Sequence, residues 1–122
     1  MRPNEIKEHA IIRFILTTIA EGKQSKESNR ANDGLGFIHN TTIEHIIDKD
    51  KEADNVYSIG NLLLLERDVH VDVKNEDEKK QMYEKSKITV SKQFFDEYPD
   101  YDETKILERK KKILTSFYEL II

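Results

Sequence analysis

Residues 41–70 read TTIEHIIDKDKEADNVYSIGNLLLLERDVH, and this stretch decides the fold. Five of its first seven residues are β-branched, which predicts a strand over 41–47. The polar run DKDKEADN at 48–55 predicts a turn. A second strand is expected within VYSIGNLLLLE at 56–66, with Gly60–Asn61 forming a bend or bulge before the Leu62–Leu65 run. Asp68 can cap a helix that continues through His70 and Lys74.

Working outward, residues 4–21 carry Ile6, Ala10, Ile11, Phe14, Ile15, Thr18 and Ile19 at three- and four-residue steps. That spacing predicts an amphipathic helix, capped by Asn4 and ended by Gly22. Ala31 is the one apolar residue of GKQSKESNRANDG at 22–34. Such a stretch buries too little surface to offset its chain entropy, so 22–40 is expected to be a mobile loop. On the other side, 76–86 and 90–99 read as short helices, the first capped by Asn75 and the second stopped by Pro99. Asp102 can cap a last helix, in which Ile106, Ile113, Leu114, Phe117 and Ile121 share a face. The expected class is α+β, one small hairpin among helices.

The chain has 122 residues, a length for one domain. It contains no cysteine, which excludes disulfides, thiolate metal sites and a cysteine nucleophile. No apolar run approaches the ~20 residues that cross a bilayer. The N-terminus MRPNEIKEHA does not read as a secretory signal, so a cytoplasmic location is expected. The formal charge of -4 argues against a nucleic-acid partner. The charge is patchy, however. Residues 92–104 carry one lysine and five acids, whereas 105–112 carry five basic groups and one acid. A basic strip therefore survives, and the total bears on affinity more than on function.

The residues that carry chemistry are Glu44-His45, Asn61 and His70. Asn61 follows His45 by 16 residues and His70 follows Asn61 by nine. This order resembles the His-Asn-His (HNH) endonucleases, whose ββα module holds one metal ion. A closer resemblance is to the C-terminal nuclease domain of GmrSD-type modification-dependent restriction and phage-defence proteins. It rests on Ile43-Glu44-His45-Ile46, Gly60-Asn61-Leu62 and Lys79-Lys80-Gln81-Met82-Tyr83, and spans roughly residues 38–121.

The resemblance implies a ββα-metal core over 41–75, with His45 as general base. An imidazole suits that role because its ordinary pKa is ~6.5. It implies Glu44 and His70 as ligands of one divalent ion, Mg²⁺ or Mn²⁺, with Ni²⁺ or Zn²⁺ tolerated. Asn61 would orient the segment carrying His45 through side-chain hydrogen bonds. The implied partner is DNA, with an N-terminal nucleotide-binding or specificity domain elsewhere in a larger protein and no membrane. Adjacent strand residues face opposite ways, so Glu44 and His45 can serve one site only at a strand end or bulge. The sequence departs from the family pattern at Lys74, where a further His is usual, and at Asp48, where proline is common. The knuckle cysteines of many HNH proteins are absent.

Other charged residues have plainer readings. Lys79 and Lys80 read first as a solvated helix face, with phosphate contact the second reading. Arg109 and Lys110 fall at or inside the apolar arc of the last helix, where they either snorkel or reach a bound phosphate. Lys80, Arg109 and Lys110 are thus the substrate-binding candidates. Two alternatives stay open: a catalytically degenerate interaction module on the same scaffold, and RNA as substrate.

Overall fold

The computed structural model describes residues 3–28, 40–48, 55–73 and 75–122, with the side chains of the first helix described over 9–24. The order is α1 (Pro3–Ser28), β1 (Thr41–His45), a 3₁₀ turn (Ile59–Asn61), β2 (Leu62–Glu66), α2 (Glu76–Glu84), α3 (Thr89–Lys92), α4 (Phe94–Glu97), a 3₁₀ turn (Glu103–Lys105) and α5 (Ile106–Ile121). The class is α+β. Residue 39, residues 49–54 and Lys74 lie outside the described residues, as does the 29–39 part of the expected loop.

The two strands pair antiparallel, Thr41 opposite Glu66 and His45 opposite Leu62. Every residue of β2 is buried, because both faces of the hairpin are covered. Leu62 and Leu64 pack with Leu16, Ala20, Ile88 and Ile113. Leu63 and Leu65 pack on the opposite side with Met82, Tyr83, Phe94 and Tyr98. An unbroken leucine run is what a strand sandwiched between two apolar layers requires.

Three elements differ from the sequence reading. Helix α1 does not stop at Gly22 but continues to Ser28, so 23–28 are helical and not loop. Tertiary contacts hold the extra turn. A Cβ at Gly22 would lie 3.1 Å from Leu120. Two residues on, Gln24 accepts from Thr89 N–H and donates to the Lys87 carbonyl, both at 2.9 Å, so it caps α3 from a distance. Second, no helix forms over 68–73. The N–H groups of Val69 and His70 both turn back to the Glu66 carbonyl at 3.0 Å. Val69, Val71 and Val73 are β-branched and disfavour a helix here. The helix begins instead at Glu76, where the Asn75 side chain accepts from Glu78 N–H. Third, the 90–99 helix is split into α3 and α4 at Gln93.

Helix α5 buries only part of its expected face. It buries Ile106, Arg109 and Ile113, whereas Leu114 is 41% and Ile121 57% exposed. Gly60 fixes its seat. A Cβ there would lie 2.0 Å from the Ile106 carbonyl oxygen, so only glycine permits α5 this close to the turn that carries Asn61.

Candidate active site

The site is built on the end of β1. Thr42 and Glu44 share one face of the strand, and His70, from the turn after β2, lies against both. His70 Nδ1 bonds Thr42 Oγ1, and Nε2 lies 3.1 Å from Glu44 Oε1. The Thr42 hydroxyl donates its own proton to the Leu65 carbonyl at 3.4 Å. His70 thus bridges Thr42 and Glu44 through its two ring nitrogens, and the tautomer sets which of them donates. Nε2 and the Glu44 Oε1 carboxylate face each other at hydrogen-bond distance. A proton on Nε2 bridges such a pair, and an unprotonated Nε2 could share a divalent ion with the carboxylate. The 3.1 Å spacing fits adjacent ligands of an octahedral ion, for which bonds of ~2.1 Å give an edge of about 3 Å.

Glu44 is 7% exposed and is held on all sides. Its Oε2 accepts from the Tyr83 hydroxyl at 2.8 Å and lies 3.4 Å from the Lys79 ammonium. Burial alone would raise its pKa. The His70 hydrogen bond, the Lys79 charge and the Tyr83 hydrogen bond outweigh that and hold the carboxyl below its ordinary value. Burial, followed by the Glu44 charge, pushes the Tyr83 phenol well above its ordinary range, so it stays a donor.

His45 is the last residue of β1. Its ring meets Tyr57 edge-to-face with centroids 5.6 Å apart, and it pairs with Leu62 across the ladder. Glu44 and His45 therefore stand at the strand end, where the chain leaves the sheet.

Asn61, 0% exposed, grips the residues that follow. Its Oδ1 accepts from Ile47 N–H and its Nδ2 donates to the Ile47 carbonyl, both at 2.9 Å. A strand residue would bond in the same way, so the side chain extends the ladder past His45. Nδ2 also donates to the Val56 carbonyl at 2.8 Å, and the Tyr101 hydroxyl donates to Oδ1 at 3.1 Å.

The basic candidates separate. Lys80 is half-exposed, beside Glu76 and over the Phe95 ring. Lys110 is exposed. Arg109 is buried and donates to the Gly60 and Leu62 carbonyls at 2.9 and 2.8 Å, with its guanidinium 5.1 Å from the Phe94 ring centre. It buttresses the Asn61 turn and does not face solvent. The arc reading of α5 had the two neighbours reversed, with Lys110 inside and Arg109 at the edge. One residue of helix is 100° of rotation, enough to exchange them.

Lys79 also reverses its expected place. It is 3% exposed and donates to the His45 and Ile46 carbonyls at 2.7 Å each, with Asp48 Oδ1 3.5 Å away. Thr42, Tyr83 and Tyr101 carry no role in the sequence reading. The available signal was the one-turn spacing of Lys79 and Tyr83 within the Lys-Lys-x-x-Tyr segment. A cavity of about 120 Å³ opens beside Lys79, lined by Ile46, Ile47, Asp48, Glu76, Phe95 and Tyr101.

Among the described residues, no group of three or more His, Asp or Glu side chains converges as an ion cage, and no helix is long and apolar enough to cross a membrane. No curated protein and no solved structure matches the chain. A family model, that of the C-terminal domain of GmrSD restriction endonucleases, matches residues 2–116. With nearly the whole chain matched, the protein belongs to the family of GmrSD restriction endonuclease C-terminal domains, a nuclease module of restriction enzymes.

Proposed function

We propose that this domain hydrolyses DNA phosphodiester bonds as an HNH-type, metal-dependent endonuclease and is the cleavage module of a larger restriction or phage-defence protein. The observation that carries the reading is the facing pair of Glu44 Oε1 and His70 Nε2, 3.1 Å apart. In the tautomer protonated at Nδ1, which donates to Thr42, His70 Nε2 is free to ligate. Glu44 and His70 would hold the ion, and water and phosphate would complete its shell, a donor set that suits Mg²⁺ or Mn²⁺. A divalent ion there supplies neutralisation of charge on the scissile phosphate.

The chain's own residues do the rest. His45 takes the proton of the attacking water as general base. Asn61 holds the 46–47 backbone that sets the position of His45, and so acts as a positioning residue. Lys80 is the basic side chain near the site whose exposure leaves it able to meet a DNA phosphate, with exposed Lys110 a second contact. Specificity and any nucleotide use belong to other parts of the larger protein.

Plasmid nicking with Mn²⁺ tests this. The wild-type domain is expected to nick, and His45→Ala to lose on the order of 10²-fold or more in rate. Equal activity in the two would overturn the role of His45. The rate should also fall in mildly acidic solution as the base is protonated. A flat profile from acidic to neutral pH contradicts a histidine base.

A further inference from the structure

Glu44 has two carboxylate oxygens, yet only Oε1 faces His70. Oε2 is engaged by Tyr83 and Lys79, at 2.8 and 3.4 Å. These two residues stand one turn apart on the inner face of α2, and both are buried. Lys79 is itself locked. Its ammonium is surrounded by oxygens from Glu44, His45, Ile46 and Asp48. Swinging Oε2 round to an ion would strand a buried phenol and take from a buried ammonium the nearer of its two carboxylates, each a costly loss.

We infer that Lys79 and Tyr83 form a clamp that restricts Glu44 to a one-oxygen ligand and so selects which divalent ion the domain takes. Ca²⁺ prefers six to eight oxygens and often takes both from one carboxylate, whereas Mg²⁺ and the similarly octahedral Mn²⁺ are served by single oxygens and water. The clamp therefore disfavours Ca²⁺. Lys79 and Tyr83 touch neither ion nor substrate and are positioning residues. The inference rests on the proposed Glu44–His70 ion site.

Calorimetric titration of the whole chain with Mn²⁺ and, separately, Ca²⁺ tests it. Wild type is expected to bind Mn²⁺ and to bind Ca²⁺ far more weakly. Tyr83→Phe keeps the ring packing and releases one constraint on Oε2. It should narrow the Mn²⁺/Ca²⁺ affinity ratio about tenfold, the equivalent of one hydrogen bond to a charged group. Lys79→Met, checked for folding by circular dichroism, should narrow it further. If it does not fold, the infrared splitting of the carboxylate stretches in Ca²⁺-loaded Tyr83→Phe provides the second reading. A shift from one-oxygen toward two-oxygen ligation supports the clamp. An unchanged ratio with unchanged splitting in Tyr83→Phe, while wild type binds Mn²⁺, overturns it. Absence of Mn²⁺ binding in wild type would instead overturn the ion site on which it stands.

Discussion

Replacing Asn61 tests how the site is held together. The side chain makes four hydrogen bonds, to Ile47 N–H, Ile47 carbonyl, Val56 carbonyl and the Tyr101 hydroxyl, at 2.8–3.1 Å. At ~1 kcal/mol net for each, Asn61→Ala loses about 4 kcal/mol, with the Val56 carbonyl left unsatisfied in a buried position. For a chain of this length that is a fall of roughly 15 °C in Tm, a large share of an ordinary domain's stability. Asn61→Asp sharpens the test. It is isosteric and keeps the acceptor for Ile47 N–H and Tyr101, but turns a carboxylate toward two carbonyls. At neutral pH it should destabilise at least as much as alanine. On acidification the carboxyl gains a proton and becomes a donor again, so part of the loss should be recovered near pH 4. Urea unfolding followed by circular dichroism measures both variants, since the chain has no tryptophan. A loss under ~1 kcal/mol for alanine, or wild-type stability for aspartate at pH 7, would refute the ladder-extension role.

Other consequences are as direct. His70→Ala should weaken Mn²⁺ affinity at least about tenfold while leaving the apo-protein Tm within a few degrees, because His70 lies in a partly exposed turn; a large Tm loss without metal would contradict that. Glu44 has a lowered folded-state pKa, so its contribution to stability is present above about pH 4.5 and is lost as pH falls through the lower folded value. Glu44→Gln should therefore show a flatter Tm-against-pH curve between pH 6 and 3, and parallel curves would contradict the assignment. Arg109→Met removes two hydrogen bonds to buried carbonyls and should cost about 3 kcal/mol, while Lys110→Ala should leave stability unchanged and weaken DNA binding in a salt-dependent way. Gly60→Ala must push α5 off the Asn61 turn, and a Tm within 2 °C of wild type would contradict the close approach.

Local signals carried much of the fold. The hairpin, the Asn75 cap and the long terminal helices follow from periodicity and side-chain chemistry, whereas Asp102, expected to cap the last helix, caps the 3₁₀ turn that leads into it. The failures lie where distant parts of the chain decide. Gly22 reads as a stop, yet Leu120 and the α3 terminus hold the helix past it. Asp68 reads as a cap, yet three alternating valines and a return to the Glu66 carbonyl keep 67–73 irregular. For the site, the order Glu44, His45, Asn61 and His70 was legible through resemblance. Strand alternation alone keeps Glu44 and His45 apart. The Lys79 ammonium could not be read from its charged helix, because its value depends on carbonyls 33 and 34 residues away.

The proposed metal-dependent hydrolysis requires one cation position, between Glu44 Oε1 and His70 Nε2. Anomalous diffraction from crystals grown with Mn²⁺ tests it most directly. The predicted result is a single peak about 2.1 Å from each atom, with Glu44 Oε2 still bonded to Tyr83. A site without such a peak, in which protonated Nε2 donates to Oε1, would contradict the proposed metal-dependent mechanism.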